Sequence, residues 1–357
     1  MGENTPLLHN PKVCSVFILS KENYCRNSGL FWHRDSLFKA FAASSFGPCV
    51  PEVAKDLNTT GEVINFTAVG LYMFMLGIST FIWAPYSRFY GRRPICLISL
   101  PPMCLGSLIV SLSTSVVQLT IGRALQASAA SCFNNVGVSS ISDIYKLEER
   151  GTAIGAYYAA VLLSLAIAPM TGGIAAIYAS WRLMPIIIFG ISLSSLISVI
   201  MFPPETCHPG SRGVDKLREG AELAGQTYRP KWVWLNPFQS LKLLRGPNVS
   251  FVAIATACAF VTDCVMLISL SYTIGPRNGL TSPALIRACF LPSGLGSTLG
   301  SPIVGRISDK IIISKRKQRG GKRLPEDHLL ATLPGAMFLV PLSDLMYGIA
   351  IQFIPGK

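Results

Sequence analysis

Long apolar runs alternate with short charged segments along the whole chain. About 20 apolar residues in a helix are needed to cross the hydrocarbon core of a bilayer. Runs of this size recur here, and each ends at charged residues or at proline and glycine. The pattern predicts nine membrane-spanning helices, near residues 36–53, 63–84, 94–113, 117–138, 152–174, 183–202, 249–269, 284–303 and 331–353.

The composition supports lipid as the surrounding solvent. Half of the 357 residues are apolar and only 14% are charged, whereas a soluble domain carries about 25% charged residues. The ten cysteines are spread singly, without the spacing of a metal site. We therefore expect small core cysteines, no metal and no cofactor.

The positions of the basic residues decide the orientation. With the N-terminus in the cytosol, the cytosolic segments hold 24 of the 31 Lys and Arg residues, and the opposite loops hold only Lys55, Arg182 and Arg277. This asymmetry follows the positive-inside rule. It predicts a cytosolic N-terminus, and it excludes nucleic acid as a partner because the charge marks loops rather than a binding face.

A long basic segment, rich in glycine and proline, separates six predicted helices from three. Such a segment is typical of a domain boundary. The predicted organisation is a cytosolic tail at 1–35, a six-helix bundle at 36–202, a cytosolic central loop at 203–248 and a partial, three-helix bundle at 249–357. Inside the loop, aromatic residues beside Lys242 and Arg245 indicate either an interfacial helix or a plain anchor before the next span.

Residues 83–94 (WAPYSRFYGRRP) join the second and third predicted helices, and they resemble the loop signature of major facilitator transporters. Gly91 allows a tight turn, and Arg92 and Arg93 can bind the carboxylate of Asp143 at the end of the fourth helix. Where the family has an acid at the end of the second helix, this chain has Arg88. That departure weakens the charge relay that the resemblance implies.

Two further elements resemble the same family. Arg123 and Gln126 match its Arg-x-x-Gln element in the fourth helix, while Pro169, Gly172 and Gly173 are similar to the fifth-helix motif associated with proton antiporters. Small residues and a proline let a helix pack closely and bend. For Arg123, the resemblance implies a coupling role in a cavity; a structural pairing with neighbouring polar groups is the alternative.

The second half repeats the loop signature. Gly305, Asp309 and Lys310 correspond to part of residues 85–93, and here the acid is kept. Together with residues 204–206 (PET), these motifs look like fungal members of the drug:proton antiporter branch. The resemblance implies that these motifs act as conformational switches, and the residues concerned are Gly91, Arg92, Arg93, Asp143, Gly305, Asp309 and Lys310.

The resemblance implies an all-α major facilitator fold that exports small organic molecules or drugs by alternating access, with proton coupling. The family has twelve helices and this sequence stops after the predicted ninth, so we expect an incomplete C-terminal bundle. The alternative is a non-transporting sensor or regulatory membrane protein, or an inactive fragment of a transporter. Arg88 favours this alternative. An enzyme is not expected, because no HExxH, GxSxG or P-loop pattern accompanies the helices.

Asp263 is a second charge predicted inside the membrane, midway along the seventh helix. An ionisable residue near a helix centre costs about 2.5 to 3.5 kcal/mol on insertion scales, so it needs a reason to be there. A desolvated carboxylate can carry a proton; the alternative is a hydrogen bond to a neighbouring helix. We expect Arg123, Gln126 and Asp263 to serve substrate or proton coupling.

The expected partners are a small organic substrate, the proton and the lipid bilayer, and the sequence gives no sign of an obligate protein partner. The plasma membrane is the expected location. Residues 3–8 (ENTPLL) resemble an acidic dileucine sorting signal. That signal favours the alternative of a vacuolar or endosomal membrane.

Overall fold

The computed structural model describes residues 41–353 apart from 43, 147, 179, 202–204, 206, 208–209, 226–231, 270–290 and 321–332. In this part of the chain helices dominate, and none of its residues forms a strand. The predicted all-α class is confirmed. The predicted tail at 1–35, with its sorting signal, lies outside the described residues.

We label the described α-helices in chain order. They are α1 Val50–Asp56, α2 Gly61–Tyr90, α3 Arg92–Ser111, α4 Val116–Ile144, α5 Arg150–Tyr178, α6 Leu183–Met201, α7 Gly213–Leu223, α8 Pro247–Ser269, α9 Leu291–Gln318 and α10 Val340–Phe353. There are π-helical segments in two places: Asn65–Gly70 lies inside α2, and Gly335–Leu339 directly precedes α10.

Four of the described helices are long and apolar enough to cross a membrane by themselves: α2, α3, α5 and α6. Shorter apolar stretches lie at Val249–Thr262 in α8 and at Met337–Ile349 around the start of α10. The helix α4 is less apolar than its neighbours and packs against α2 and α3. Its polar side chains Arg123 and Gln126 are buried inside the protein.

Several helices extend beyond the apolar runs that predicted them. We expected the second, fourth and eighth helices to end near 84, 138 and 303, whereas α2 ends at Tyr90, α4 at Ile144 and α9 at Gln318. An apolar run marks only the part of a helix that lies in lipid. The backbone hydrogen bonds continue into the polar flank, where residues such as lysine and arginine are good helix formers.

The first predicted helix is broken rather than continuous. Residues 41, 42 and 44 are helical, the chain bends at Ser45 and Phe46, and a 3₁₀ turn at Gly47–Cys49 leads into α1. Pro48 lies in that turn, and a proline removes a backbone donor from a helix. The break leaves the region around Ala42 and Ser45 able to contact other helices.

Glycines bring the helices into backbone contact at two places. A Cβ at Gly106 of α3 would lie 2.7 Å from the carbonyl oxygen of Gly122 of α4, and one at Gly305 of α9 would collide with the carbonyl oxygen of Gly151 of α5. Small residues are the usual means of close helix packing in membranes. The pairs α3–α4 and α5–α9 are therefore closely apposed.

The bundle has two distinguishable ends. We call one the basic end: α2, α4, α6 and α9 finish there, and α3 and α5 start there. At the opposite end α1, α3 and α5 finish, and α4 and α6 start. The predicted cytosolic side corresponds to the basic end.

Candidate functional site

Arg123 lies at the centre of a buried polar cluster in α4, with 2% of its surface exposed. Its Nε donates a hydrogen bond to the carbonyl oxygen of Ala68 at 3.0 Å, and its Nη1 donates to the carbonyl oxygen of Ala42 at 3.2 Å and to Gln126 Oε1 at 3.0 Å. Ala68 belongs to the π-helical part of α2, and Ala42 precedes the break in the first helix. Irregular helix of this kind is frequent at functional sites.

Aromatic rings enclose the same guanidinium. The Arg123 Cζ lies 4.1 Å from the ring centroid of Tyr72 and 4.7 Å from that of Phe46. Such cation–π contacts stabilise a desolvated cation. Among the described residues, Arg123 Nη2 and the Tyr72 hydroxyl have no hydrogen-bond partner. A buried donor without a partner is costly, so these two atoms mark a place for a water or a polar ligand group.

Gln126 extends the cluster to α3. Its Nε2 donates to Ser107 Oγ at 2.9 Å, and the Ser107 hydroxyl donates to the carbonyl oxygen of Met103 at 2.8 Å. The structure thus brings Arg123 and Gln126 together, as their spacing of one helical turn predicts. Asp263 lies in α8, but its side chain is outside the described part of the structure.

The antiporter-like motif of α5 contacts the break in the first helix. A Cβ at Gly172 would collide with the carbonyl oxygen of Ser45, so only glycine fits at this approach. Cys49 Sγ lies 3.4 Å from the carbonyl oxygen of Gly172 and donates to it. Pro169 lies within α5 one turn earlier, and Gly173 follows in the same helix.

A second network lies at the opposite end. Asp56 Oδ2 accepts a hydrogen bond from Trp181 Nε1 at 2.8 Å and lies 3.6 Å from Arg182 Nη1. Arg182 Nη2 also donates to the carbonyl oxygen of Ser113 at 3.1 Å. These contacts tie α1, α3 and the start of α6 together, and the sequence had not pointed to Asp56.

Glu205 organises the turn between α2 and α3 at the basic end. Its carboxylate accepts hydrogen bonds from the backbone N–H groups of Arg92 (2.8 Å), Arg93 (3.3 Å) and Cys207 (3.2 Å). Gly91 has φ 109°, and a Cβ there would collide with the Glu205 carboxylate. A carboxylate on the first N–H groups of a helix acts as an N-terminal cap.

The side chains of the same turn reach three other helices. Arg92 Nε lies 3.2 Å from Asp143 Oδ2, and Arg92 Nη1 donates to Ser87 Oγ at 3.1 Å. The expected contact with Asp143 is therefore made by Arg92, whereas Arg93 Nη2 donates to the carbonyl oxygen of Ile200 at 3.0 Å. Arg88 lies exposed in the last turn of α2.

Asp309 of α9 caps the start of α5. Its Oδ1 accepts a hydrogen bond from the N–H of Gly151 at 2.8 Å, and its Oδ2 accepts from the N–H and the hydroxyl of Thr152 at 2.7 and 2.6 Å. The first N–H groups of a helix attract an anion because they are unpaired and carry the positive end of the helix dipole. Asp309 itself is only 5% exposed.

Further contacts surround this carboxylate, and we call the whole set the α5–α9 joint. Ser301 Oγ donates to the carbonyl oxygen of Gly155 at 2.9 Å, and Arg316 Nη1 lies 2.8 Å from Glu148 Oε1. Lys310 lines a cleft of about 490 Å³ beside the joint. The joint connects helices that lie before and after the central loop in the chain.

Helix α7 rests on the basic end through its first residue. A Cβ at Gly213 would collide with the ring of Phe89, so the two touch directly. Arg212 Nε and Nη2 both donate to the Asp215 carboxylate at 2.8 Å, and Asp215 also accepts from the N–H of Gly210 at 3.2 Å. The hydrogen bond from Arg212 lowers the pKa of the Asp215 carboxyl.

The sequence as a whole matches one family profile. Residues 36–352 match the profile described as Major Facilitator Superfamily, which covers most of the chain. The chain belongs to the Major Facilitator Superfamily. Membership makes it a multi-pass membrane protein of a transporter family rather than of an enzyme family.

Curated fungal members of the superfamily are similar to this chain. It is 31% identical over 188 residues to the MFS antiporter QDR3 of Candida albicans, covering 53% of this chain and 26% of that protein. It is 25% identical to citrate exporter 1 of Aspergillus niger (77% and 55% covered) and 24% identical to the MFS-type transporter penM of Penicillium rubens (86% and 62% covered). The chain spans about half the length of the curated relatives it matches.

Two solved structures of major facilitator proteins show the same fold. The human organic anion transporter MFSD10 superposes with a TM-score of 0.53 at 14% identity, over 92% of this chain and 86% of that one. The proton:xylose symporter XylE bound to 6-bromo-6-deoxy-D-glucose superposes with a TM-score of 0.57 at 15% identity, over 94% and 83%. At these identities the likeness concerns the fold alone.

Proposed function

We propose that this major facilitator protein is an alternating-access transporter that exports small organic molecules in exchange for protons. The α5–α9 joint is the observation that carries the proposal. It fastens a helix from one side of the central loop to a helix from the other side, at one end of the bundle. A contact of this kind, made and broken once per cycle, is what rocking of two bodies requires.

The bonds of the joint suit a reversible closure. A hydrogen bond to a charged group contributes about 1.5 to 3 kcal/mol, which is enough to favour one state without locking it. When the helices separate, water can solvate both the Asp309 carboxylate and the first N–H groups of α5. We propose residues 36–202 and 249–357 as the two moving bodies, with residues 203–248 as the tether.

We further propose that the basic end faces the cytosol, so that the described arrangement is closed to that side. The charge asymmetry of the sequence supports this orientation. We propose the plasma membrane as the location. An added cysteine at the exposed Gly320 should resist an impermeant thiol reagent on intact cells, whereas one at the exposed Asn58 should react. The reverse pattern would overturn the orientation.

Within the membrane, we propose that Asp263 carries the proton and that the Arg123–Gln126 cluster couples its movement to the helices. An arginine does not lose its proton in proteins, so Arg123 acts through its contacts. It holds the break in the first helix and the π segment of α2 at once, through Ala42 and Ala68. A movement of either segment would break the hydrogen bond from Arg123 to the carbonyl oxygen of that segment, so that Arg123 would need another acceptor.

The relatives support export as the direction. Their names include an antiporter, a citrate exporter and the efflux pump radE of Floropilus chiversii. We take two probes from this range: citrate as an organic anion and a fluorescent organic cation. Neither the joint nor the buried cluster selects between them.

Flux across proteoliposomes tests the proposal. Reconstituted in a twelve-helix form with an imposed pH gradient, the transporter should move at least one probe, and collapsing the gradient should stop it. Asp263→Asn and Arg123→Ala should abolish the pH-driven part, while Glu219→Gln on the exposed face of α7 should leave it intact. No flux from the wild-type twelve-helix form would favour the non-transporting alternative, and flux without dependence on pH would remove the proton from the mechanism.

A further inference from the structure

An aromatic and basic segment lies between α7 and α8 with its apolar side chains exposed. We call residues 232–245 the surface strap; it is an extended segment that continues into a 3₁₀ helix at Pro237–Arg245. Trp232, Trp234 and Phe238 are 68%, 79% and 62% exposed. So much exposed aromatic surface in a short segment marks an interaction site.

The 3₁₀ helix sorts its side chains into stripes. With three residues per turn, residues three apart lie above one another. Phe238, Leu241 and Leu244 therefore form one exposed apolar stripe, and Lys242 and Arg245 form an exposed basic stripe next to it. The strap contains no aspartate or glutamate. Its surface is apolar and positively charged.

The strap lies where a membrane surface is expected. Its last residue is followed at once by α8, which starts at Pro247, and Ser250 Oγ of α8 donates to the carbonyl oxygen of Leu244. The strap is thus continuous with a segment, Val249–Thr262, that is apolar along its length. Trp, Lys and Arg beside an apolar helix are typical of the headgroup layer.

The other end of the strap holds α2. The Trp232 ring stacks on those of Tyr86 and Tyr90, with centroids 5.3 and 5.5 Å apart. The N–H of Val233 donates to the Tyr90 hydroxyl at 2.9 Å. The strap therefore connects the expected headgroup layer with the last turn of α2, next to Gly91 and Arg92.

We propose that the surface strap docks on the anionic phospholipid surface of the bilayer and so holds the basic end of α2. The apolar stripe enters the boundary between headgroups and acyl chains, and Lys242 and Arg245 bind the lipid phosphates and carboxylates. Each such cation raises the affinity of a segment for an anionic leaflet roughly fivefold. The strap would bind a neutral lipid surface with lower affinity.

Amide hydrogen exchange of the full chain in lipid nanodiscs tests the proposal. The exchange rate of the strap amides should be lower by a factor of roughly five or more in discs of phosphatidylcholine with phosphatidylserine than in discs of phosphatidylcholine alone. Lys242→Gln with Arg245→Gln should abolish the difference. Lys216→Gln with Arg218→Gln, which removes the same charge from the exposed face of α7, should preserve it.

High salt provides a second measurement that needs no variant, because it screens an exposed electrostatic contact. Raising the salt should bring exchange in the anionic discs close to that in the neutral discs. Equal exchange in the two lipids at low salt would overturn the proposal. A difference that survives both the Lys242/Arg245 replacements and high salt would also overturn it.

Discussion

The carboxylate of Asp309 binds both the backbone N–H and the hydroxyl of Thr152, so that an acid from α9 caps the start of α5. The first half of the chain has Arg88 where the second has Asp309, and an arginine cannot cap a helix N-terminus. Of the two loop signatures, therefore, only the one in the second half carries an acid that can cap a neighbouring helix. The one in the second half can close the basic end.

We expect Asp309→Asn to loosen the α5–α9 joint. The amide keeps the shape but loses the charge, and a hydrogen bond to a charged group contributes about 1.5 to 3 kcal/mol. A cysteine placed at Ser308, which is buried in the joint, reports opening through its rate of thiol labelling. The rate should rise about tenfold or more with Asp309→Asn. Glu219→Gln should not change it, and equal rates in all backgrounds would contradict a closing role for Asp309.

Arg123→Lys should destabilise the bundle even though the charge is kept. A lysine ammonium cannot donate to Ala42, Ala68 and Gln126 with the spread of a guanidinium, nor stack between two rings in the same way. Each buried acceptor left without a donor costs about 1 to 3 kcal/mol. The thermal unfolding temperature in detergent should therefore fall by several degrees. The exposed substitution Arg218→Lys is the control, and an unchanged unfolding temperature for Arg123→Lys would show that these contacts are dispensable.

Gly91 and Glu205 should be energetically coupled. Gly91→Ala is destabilising for two reasons: its φ of 109° is unfavourable for alanine, and the new Cβ collides with the Glu205 carboxylate. Glu205→Ala removes the obstacle but also the cap on α3, which contributes about 0.5 to 2 kcal/mol. In a double-mutant cycle of unfolding free energies, Gly91→Ala should cost less in the Glu205→Ala background. Strictly additive costs would mean that the carboxylate does not hold this turn.

Asp215→Asn should release α7 from the basic end. Arg212 lowers the pKa of the Asp215 carboxyl, so the pair contributes stability above the usual pKa of an aspartate and loses it as pH falls towards the lowered value. At neutral pH the contribution is fully present in the wild type. Limited trypsin digestion should therefore cut Asp215→Asn faster at Lys216 and Arg218. Glu219→Gln on the same helix should digest like the wild type; faster cutting in that control, or none in Asp215→Asn, would contradict the assignment.

The sequence predicted the elements of this protein better than their contacts. Apolar runs located α2, α3, α5 and α6, the described helices that are long and apolar enough to cross a membrane, because burial in lipid leaves a continuous signal over about 20 residues. The pair Arg123 and Gln126 was also predictable, since residues three apart share a helix face. The helical extension of α9 to Gln318 was not, because the apolar run ends where the lipid does.

Long-range partners needed the fold. Glu205 lies 113 residues from Arg92 in the turn that it caps, and Asp56 lies 125 residues from Trp181. Neither acid carries a local pattern that names its partner. For Asp309, the loop signature identified the residue, but its role depends on the start of α5, which only helix packing brings within reach.

Distance measurement across the α5–α9 joint shows whether the joint opens and closes. Spin labels carried by unnatural ketone side chains at the exposed positions 149 and 317 leave the native cysteines untouched. For the reconstituted protein we expect a short main distance and a longer distance in a minor population of about 0.1 to 10%. Asp309→Asn should increase the population with the longer distance. A single short distance that responds neither to Asp309→Asn nor to pH would contradict an alternating joint.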